Sequence, residues 1–114
     1  MRDDRAYLSY INDCIERIEQ YTVEGKETFL ANQMIQDATV RRLQTLAEST
    51  QRLSDELKAK VSEIDWRSIS GLRNILVHDY LGGIDLDIIW NTIEAELPEL
   101  KRKVKEILQE LKEK

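Results

Sequence analysis

The sequence predicts an all-α domain, and three observations carry that reading. Apolar residues recur at three- and four-residue steps through most of the chain, the period of helices with one buried face. One Pro and four Gly in 114 residues are too few for the many turns of a sandwich or barrel. A length of 114 residues fits a single domain spanning 1–114, large enough to bury a core without metal or disulfide. Four or five antiparallel helices in one bundle is the economical architecture.

The elements follow in order. Asp3 to Tyr21 is the first helix, with Leu8, Ile11, Ile15 and Ile18 on one stripe and Asp3 and Asp4 at the positive end of its dipole. Cys14 lies beside the stripe and reads as a small, half-buried apolar residue. Thr22 to Gly25 breaks the period, and Lys26 to Leu30 forms a single short turn of helix. Asn32 is an N-cap opening a long helix to about Leu53. Its apolar positions are interrupted by Thr39, Arg42 and Thr50, which predicts packing on more than one neighbour with a polar seam inside. Ser54 to Lys60 adds one further turn.

Asp65 caps the next helix, which runs through Trp66, Ile69, Leu72 and Leu76 and ends near His78 or Asp79. A loop follows at Tyr80-Leu81-Gly82-Gly83, where paired glycines favour a turn. Asp85 caps a short helix carrying Leu86, Ile89, Trp90 and Ile93. Pro98 begins a last helix with Leu100, Val104, Ile107, Leu108 and Leu111 as its stripe.

Composition excludes several functions. One Cys permits no internal disulfide and no Cys-based zinc site. The N-terminus, Met1-Arg2-Asp3-Asp4-Arg5, leads into no apolar segment of the secretory kind. The longest strongly apolar run is Ile75-Leu76-Val77, too short to span a bilayer, so a cytoplasmic protein without a membrane partner is expected. Seventeen basic and 22 acidic residues leave a net charge of −5. That opposes broad nucleic-acid binding and a DNA-binding regulator; a nucleic-acid role needs a local basic patch.

The helix over 65–78 carries the candidate chemistry. Ile69, Leu72 and Leu76 form its core stripe, while Arg67, Gly71, Asn74 and His78 fall on the opposite side. Gly inside a helix costs roughly 1 kcal/mol relative to Ala, so close approach of a second helix or a ligand is expected at Gly71. Arg73 lies between the two faces. His78 is the only histidine, and only imidazole titrates unperturbed near neutral pH. Arg73 and His78 are about 140° apart on a regular helix, so they meet only if the last turn loosens or two copies share a cleft. A structural reading of the same residues is also open. His78 then complements the helix dipole, Arg73 pairs with an acid such as Glu48 or Asp37, and Tyr80 packs or caps.

The segment Arg73-Asn74-Ile75-Leu76-Val77-His78-Asp79-Tyr80 resembles the R-x4-H-x-Y signature of HEPN-domain toxins of the HepT type, the DUF86 family. Met34 to Ala38, Leu46 to Ser49, Ile64 to Arg67, Ile84 to Trp90 and Leu97 to Leu100 resemble its flanking regions, so the similarity covers nearly the whole chain. One departure is Ala47-Glu48-Ser49, where the family usually has Gly-Glu-Ala. The resemblance implies a homodimeric, metal-independent endoribonuclease that needs no cofactor and acts on RNA rather than DNA, with two motifs forming one cleft. It also implies a minimal nucleotidyltransferase antitoxin that transfers AMP to the motif tyrosine, here Tyr80.

Within that reading each residue has a role. His78 acts as general acid or base, Arg73 stabilises charge on the phosphate, and Asn74 orients His78 or the substrate. Arg67 adds positive charge for RNA, and Glu48 and Asp37 support the site. Tyr10, Leu81 and Ile88 are candidates for subunit contacts. The alternative is a non-catalytic helical module that binds or positions a nucleotidyltransferase.

Overall fold

Side-chain caps mark where the helices begin. The structure, a computed structural model, describes residues 4–78 and 85–113, with the backbone alone at positions 75, 77 and 78. Asp3, Lys114 and the expected loop Tyr80–Gly83, Leu81 included, lie outside the described residues. The helices are α1 (Asp4–Tyr21), α2 (Lys26–Ala31), α3 (Gln33–Arg52), α4 (Asp55–Lys60), α5 (Trp66–His78), α6 (Leu86–Asn91) and α7 (Leu97–Glu113). Asn32 Oδ1 accepts from Ile35 N–H at 3.0 Å, and Asp65 Oδ1 from Ser68 N–H at 3.0 Å. Asp85 Oδ1 accepts from Asp87 and Ile88 N–H at 3.0 and 3.4 Å. Ser54 Oγ accepts from Leu57 N–H at 3.2 Å and is itself held by Asp4, whose Oδ2 accepts from Ser54 Oγ at 2.7 Å. The starts of α1 and α4 are thereby tied together. Between α1 and α2, Gly25 takes φ 97°, a left-handed conformation that glycine adopts without steric penalty.

The long helices run antiparallel, and cross-helix bonds fix the register. α3 lies between α1 and α5, and α7 covers α1. Cys14 faces Thr45 and Asp4 faces Ser54, so α1 and α3 run in opposite directions. Lys101 meets Glu19 at 2.7 Å and Lys105 meets Glu16 at 3.8 Å, which does the same for α1 and α7. Lys103 holds Glu63 at 2.8 Å, pinning the α4–α5 connection to α7; this hydrogen-bonded ammonium keeps the Glu63 carboxyl below the usual carboxylate range.

The expected stripes form the core. Leu8, Ile11, Ile15 and Ile18 are fully buried, as are Leu43, Leu46, Leu76, Leu100 and Val104 to within 1 %. Cys14 is also fully buried rather than half-buried, because α3 covers the edge of the α1 stripe as well as its centre. The polar seam is present too: Thr39 and Thr50 are fully buried within α3 and Ser49 nearly so. At one end of the bundle the rings of Phe29 and Trp90 pack at 5.4 Å. No helix among the described residues is long and apolar enough to cross a membrane.

The last helix departs from the expected start at Pro98. A π-helical stretch, Thr92–Glu96, joins α6 to α7, so the chain stays helical from Leu86 to Glu113. In a regular helix the Pro98 ring would press on the carbonyl of Glu94, and its missing N–H would orphan that acceptor. The wider turn just before it relieves that conflict, with Leu97 N–H bonding Thr92 O, five residues back. Pro98 therefore sits at the second position of α7 rather than opening a separate helix.

Candidate active site

Arg73 is placed by a polar seam between α3 and α5. Thr50 Oγ1 bonds Ala47 O at 2.7 Å and lies 3.1 Å from Ser70 Oγ, while Gln51 Nε2 donates to Ser70 O at 3.2 Å. One turn further along, Arg73 Nε donates to Glu48 Oε1 at 3.2 Å. These pairs set an antiparallel register in which residue numbers rise on α5 as they fall on α3. The half-buried Ser70 hydroxyl favours that register, because sliding the helices would part it from Thr50 Oγ1.

The Arg73–Glu48 pair is half-exposed, with side chains 41 % and 45 % accessible. Such a pair contributes only about 0.2–1 kcal/mol to stability. Its consequence is directional. Glu48 engages Nε, and among the described residues the two terminal nitrogens of Arg73 make no other bond. Those nitrogens carry the fork of donors that matches two phosphate oxygens. The carboxylate also offsets the charge of the guanidinium, so the site offers an anion directed donors without being a general polyanion surface.

The remaining candidates divide clearly. Asn74 is exposed beside Arg73, and the described backbone of α5 reaches His78, four residues further on, which puts both on one face of the helix. Arg67 is exposed in the first turn of α5, six residues and about 9 Å along the axis from Arg73. Asp37 does not join this group. It precedes Glu48 by eleven residues on α3, about 16 Å along the axis, and makes no ion pair among the described residues. Of the two acids the sequence offered to Arg73, the structure selects Glu48. The His78 side chain and Tyr80 lie outside the described residues.

Gly71 gives an unexpected result. A Cβ built there meets nothing within 4 Å, so no other part of the described chain requires glycine at this position. The face bearing Arg67, Gly71 and Asn74 is open. Ser70 is the participant that periodicity alone did not single out. Its signal was present as a hydroxyl at the edge of the α5 stripe, matching the hydroxyls that interrupt α3.

Comparison with known proteins identifies the family. The model of the family described as "Ribonuclease HepT-like" matches residues 11–107. The chain belongs to the HepT-like ribonuclease family. It is 38 % identical over 113 residues to a protein of Caldanaerobacter subterraneus named "Putative RNase", covering 98 % of this chain and all of that one. It is 33 % identical over 107 residues to "Probable ribonuclease HepT" of Thermococcus cleftensis, covering 93 % of this chain and 96 % of that one. A Methanocaldococcus jannaschii protein named "Gamma-glutamylcyclotransferase and putative RNase" is 33 % identical over 111 residues, and the chain spans half of that protein's length. No solved structure matches the chain. The family match takes in the whole of α5, with Arg73, Asn74 and His78 inside it.

Proposed function

We propose that this HepT-like chain is a metal-independent endoribonuclease toxin whose cleft is built on Arg73, Asn74 and His78. The observation that supports it most directly is the Arg73 guanidinium, fixed through Nε by Glu48 with its terminal donors unengaged among the described residues, on a helix that reaches His78 in a ribonuclease family. RNA carries its own nucleophile, so the protein need only move protons and stabilise charge on phosphorus. The 2′-oxygen attacks the adjacent phosphorus while one imidazole removes its proton. The P–O5′ bond breaks, a second acid protonates the leaving oxygen, and a 2′,3′-cyclic phosphate remains. Arg73 donates to the phosphate oxygens as charge accumulates there.

One histidine per chain makes a homodimer useful, because two copies of His78 then serve as base and acid. Arg67 guides the strand by charge. Control falls to a minimal nucleotidyltransferase antitoxin: the Tyr80 hydroxyl attacks the α-phosphorus of ATP, pyrophosphate leaves, and AMP remains on the tyrosine. The added phosphate competes with RNA for Arg73 and repels the strand.

Expression of the wild-type chain and of His78→Ala without any partner tests this reading. Growth arrest by wild type alone, with RNA fragments ending in 2′,3′-cyclic phosphate and cleavage that persists in EDTA, is the expected result. Equal toxicity of the two proteins would remove His78 from the mechanism. A Tyr80→Phe protein that the nucleotidyltransferase still modifies and silences would remove Tyr80 from its control.

A further inference from the structure

We infer that the open groove between α1 and α3 is a nucleobase subsite, which selects the base next to the phosphate held by Arg73. The inference rests on the proposed ribonuclease reading and adds to it a determinant of which base is chosen. The groove encloses about 390 Å³ and is lined by Ala6, Tyr7 and Tyr10 of α1 and by Thr45, Glu48, Ser49 and Arg52 of α3. Its position follows from helical spacing. Thr45, Glu48 and Ser49 stand at i, i+3 and i+4 on one face of α3, opposite the i and i+3 pair Tyr7 and Tyr10.

Glu48 joins the groove to the cleft. It lines the groove and at the same time accepts from Arg73 Nε at 3.2 Å. A nucleotide whose phosphate sits on the Arg73 fork therefore has the mouth of the groove next to it. The lining also has the two things a base requires. Tyr10, 37 % exposed where the α1 stripe turns outward, offers an aromatic face for stacking. For the base edge, Glu48 Oε2 and the Ser49 hydroxyl have no hydrogen-bond partner among the described residues. Thr45 and Arg52 are already engaged, Thr45 by donating to Arg42 O, so the reading atoms are those of Glu48 and Ser49.

The carboxylate sets the preference. A carboxylate only accepts, so it favours a base edge rich in N–H groups. Guanine presents adjacent N1–H and N2–H donors, and adenine and cytosine present an amino group. Uracil presents one N–H between two carbonyl oxygens that the carboxylate repels. Guanine is the best match and uracil the worst.

The test measures binding separately from cleavage, using short 2′-fluoro RNA strands that cannot be cut and differ only in one base. Wild type and Tyr10→Phe should bind the guanine strand more tightly than the uracil strand. Tyr10→Ala should weaken binding by about 5- to 100-fold, the loss of one stacked base, at unchanged melting temperature. Glu48→Gln should abolish the difference between guanine and uracil strands, because the amide both donates and accepts. Equal affinity of wild type and Tyr10→Ala for every strand would overturn the subsite, even if wild type cuts RNA. Base-selective binding in a protein that cuts no RNA would preserve the subsite and sink the ribonuclease reading. A shift of Tyr10→Ala to a smaller species on gel filtration would make the groove a contact between copies and overturn the proposal.

Discussion

The two flanks of α3 hold the same helix by different means. Toward α1, the stripe of Leu8, Ile11, Ile15 and Ile18 is fully buried, with the Cys14–Thr45 contact beside it. Toward α5, the contact is strung with Thr50–Ser70, Gln51–Ser70 and Glu48–Arg73. Apolar burial is strong and non-directional, so it stabilises a pairing without choosing a fine register. The directional hydrogen bonds of the half-buried seam contribute little net energy but disfavour other registers. The first flank keeps the bundle folded. The second fixes where one guanidinium points.

Substitutions on either flank should therefore separate stability from activity. The largest effect belongs to the apolar side. Leu46→Ala removes a fully buried side chain and should destabilise by about 2–5 kcal/mol. Thermal unfolding followed by circular dichroism should show the midpoint falling by roughly 10 °C or more. An unchanged midpoint would mean that this flank does not carry the fold.

Next in size, Arg73→Ala should lower the rate of RNA cleavage by about 10²- to 10³-fold, as expected for loss of a preorganised donor. Its melting temperature should stay within a few degrees of wild type, because the ion pair is half-exposed. A variant that unfolds instead would place Arg73 on the stabilising side of the comparison. Thr50→Val, which strands the Ser70 hydroxyl, should cost about 1–2 kcal/mol. Adding Ser70→Ala should recover most of that loss in a double-mutant cycle, whereas strict additivity would deny the pairing.

The smallest effect is the most discriminating. Gly71→Ala should raise stability by up to about 1 kcal/mol, since the new methyl group meets nothing within the chain. If the open face of α5 receives a second molecule, the same substitution should lower cleavage. A variant that is both more stable and fully active would leave that face without a functional role.

What the sequence revealed was largely what is local. Asn32, Asp65 and Asp85 announce helix starts because each cap bonds an amide two or three residues away. The α1 stripe and the interruptions at Thr39 and Thr50 are likewise visible as spacing, and both are buried where that spacing places them. The partner of Arg73 was not readable in this way. Glu48 and Asp37 are equivalent acids on one face of α3, and only the register against α5 separates them. Pro98 misplaced the last boundary for a similar reason. A proline reads as a break, and the π-helical turn that accommodates it leaves no local motif. Gly71 predicted a close approach that no segment of the described chain makes.

The π-helical stretch has a bearing on lineage. A helix that gains one residue without lengthening its path acquires such a turn, which takes up the extra residue and leaves the later side chains on the faces they had. Thr92–Glu96 thus has the form of a single-codon insertion absorbed inside a continuous rod. Deleting one residue there would restore a regular helix with Leu100, Val104 and Ile107 still on the core side. A relative lacking one residue in that interval should therefore show a regular helix there and the same downstream apolar stripe.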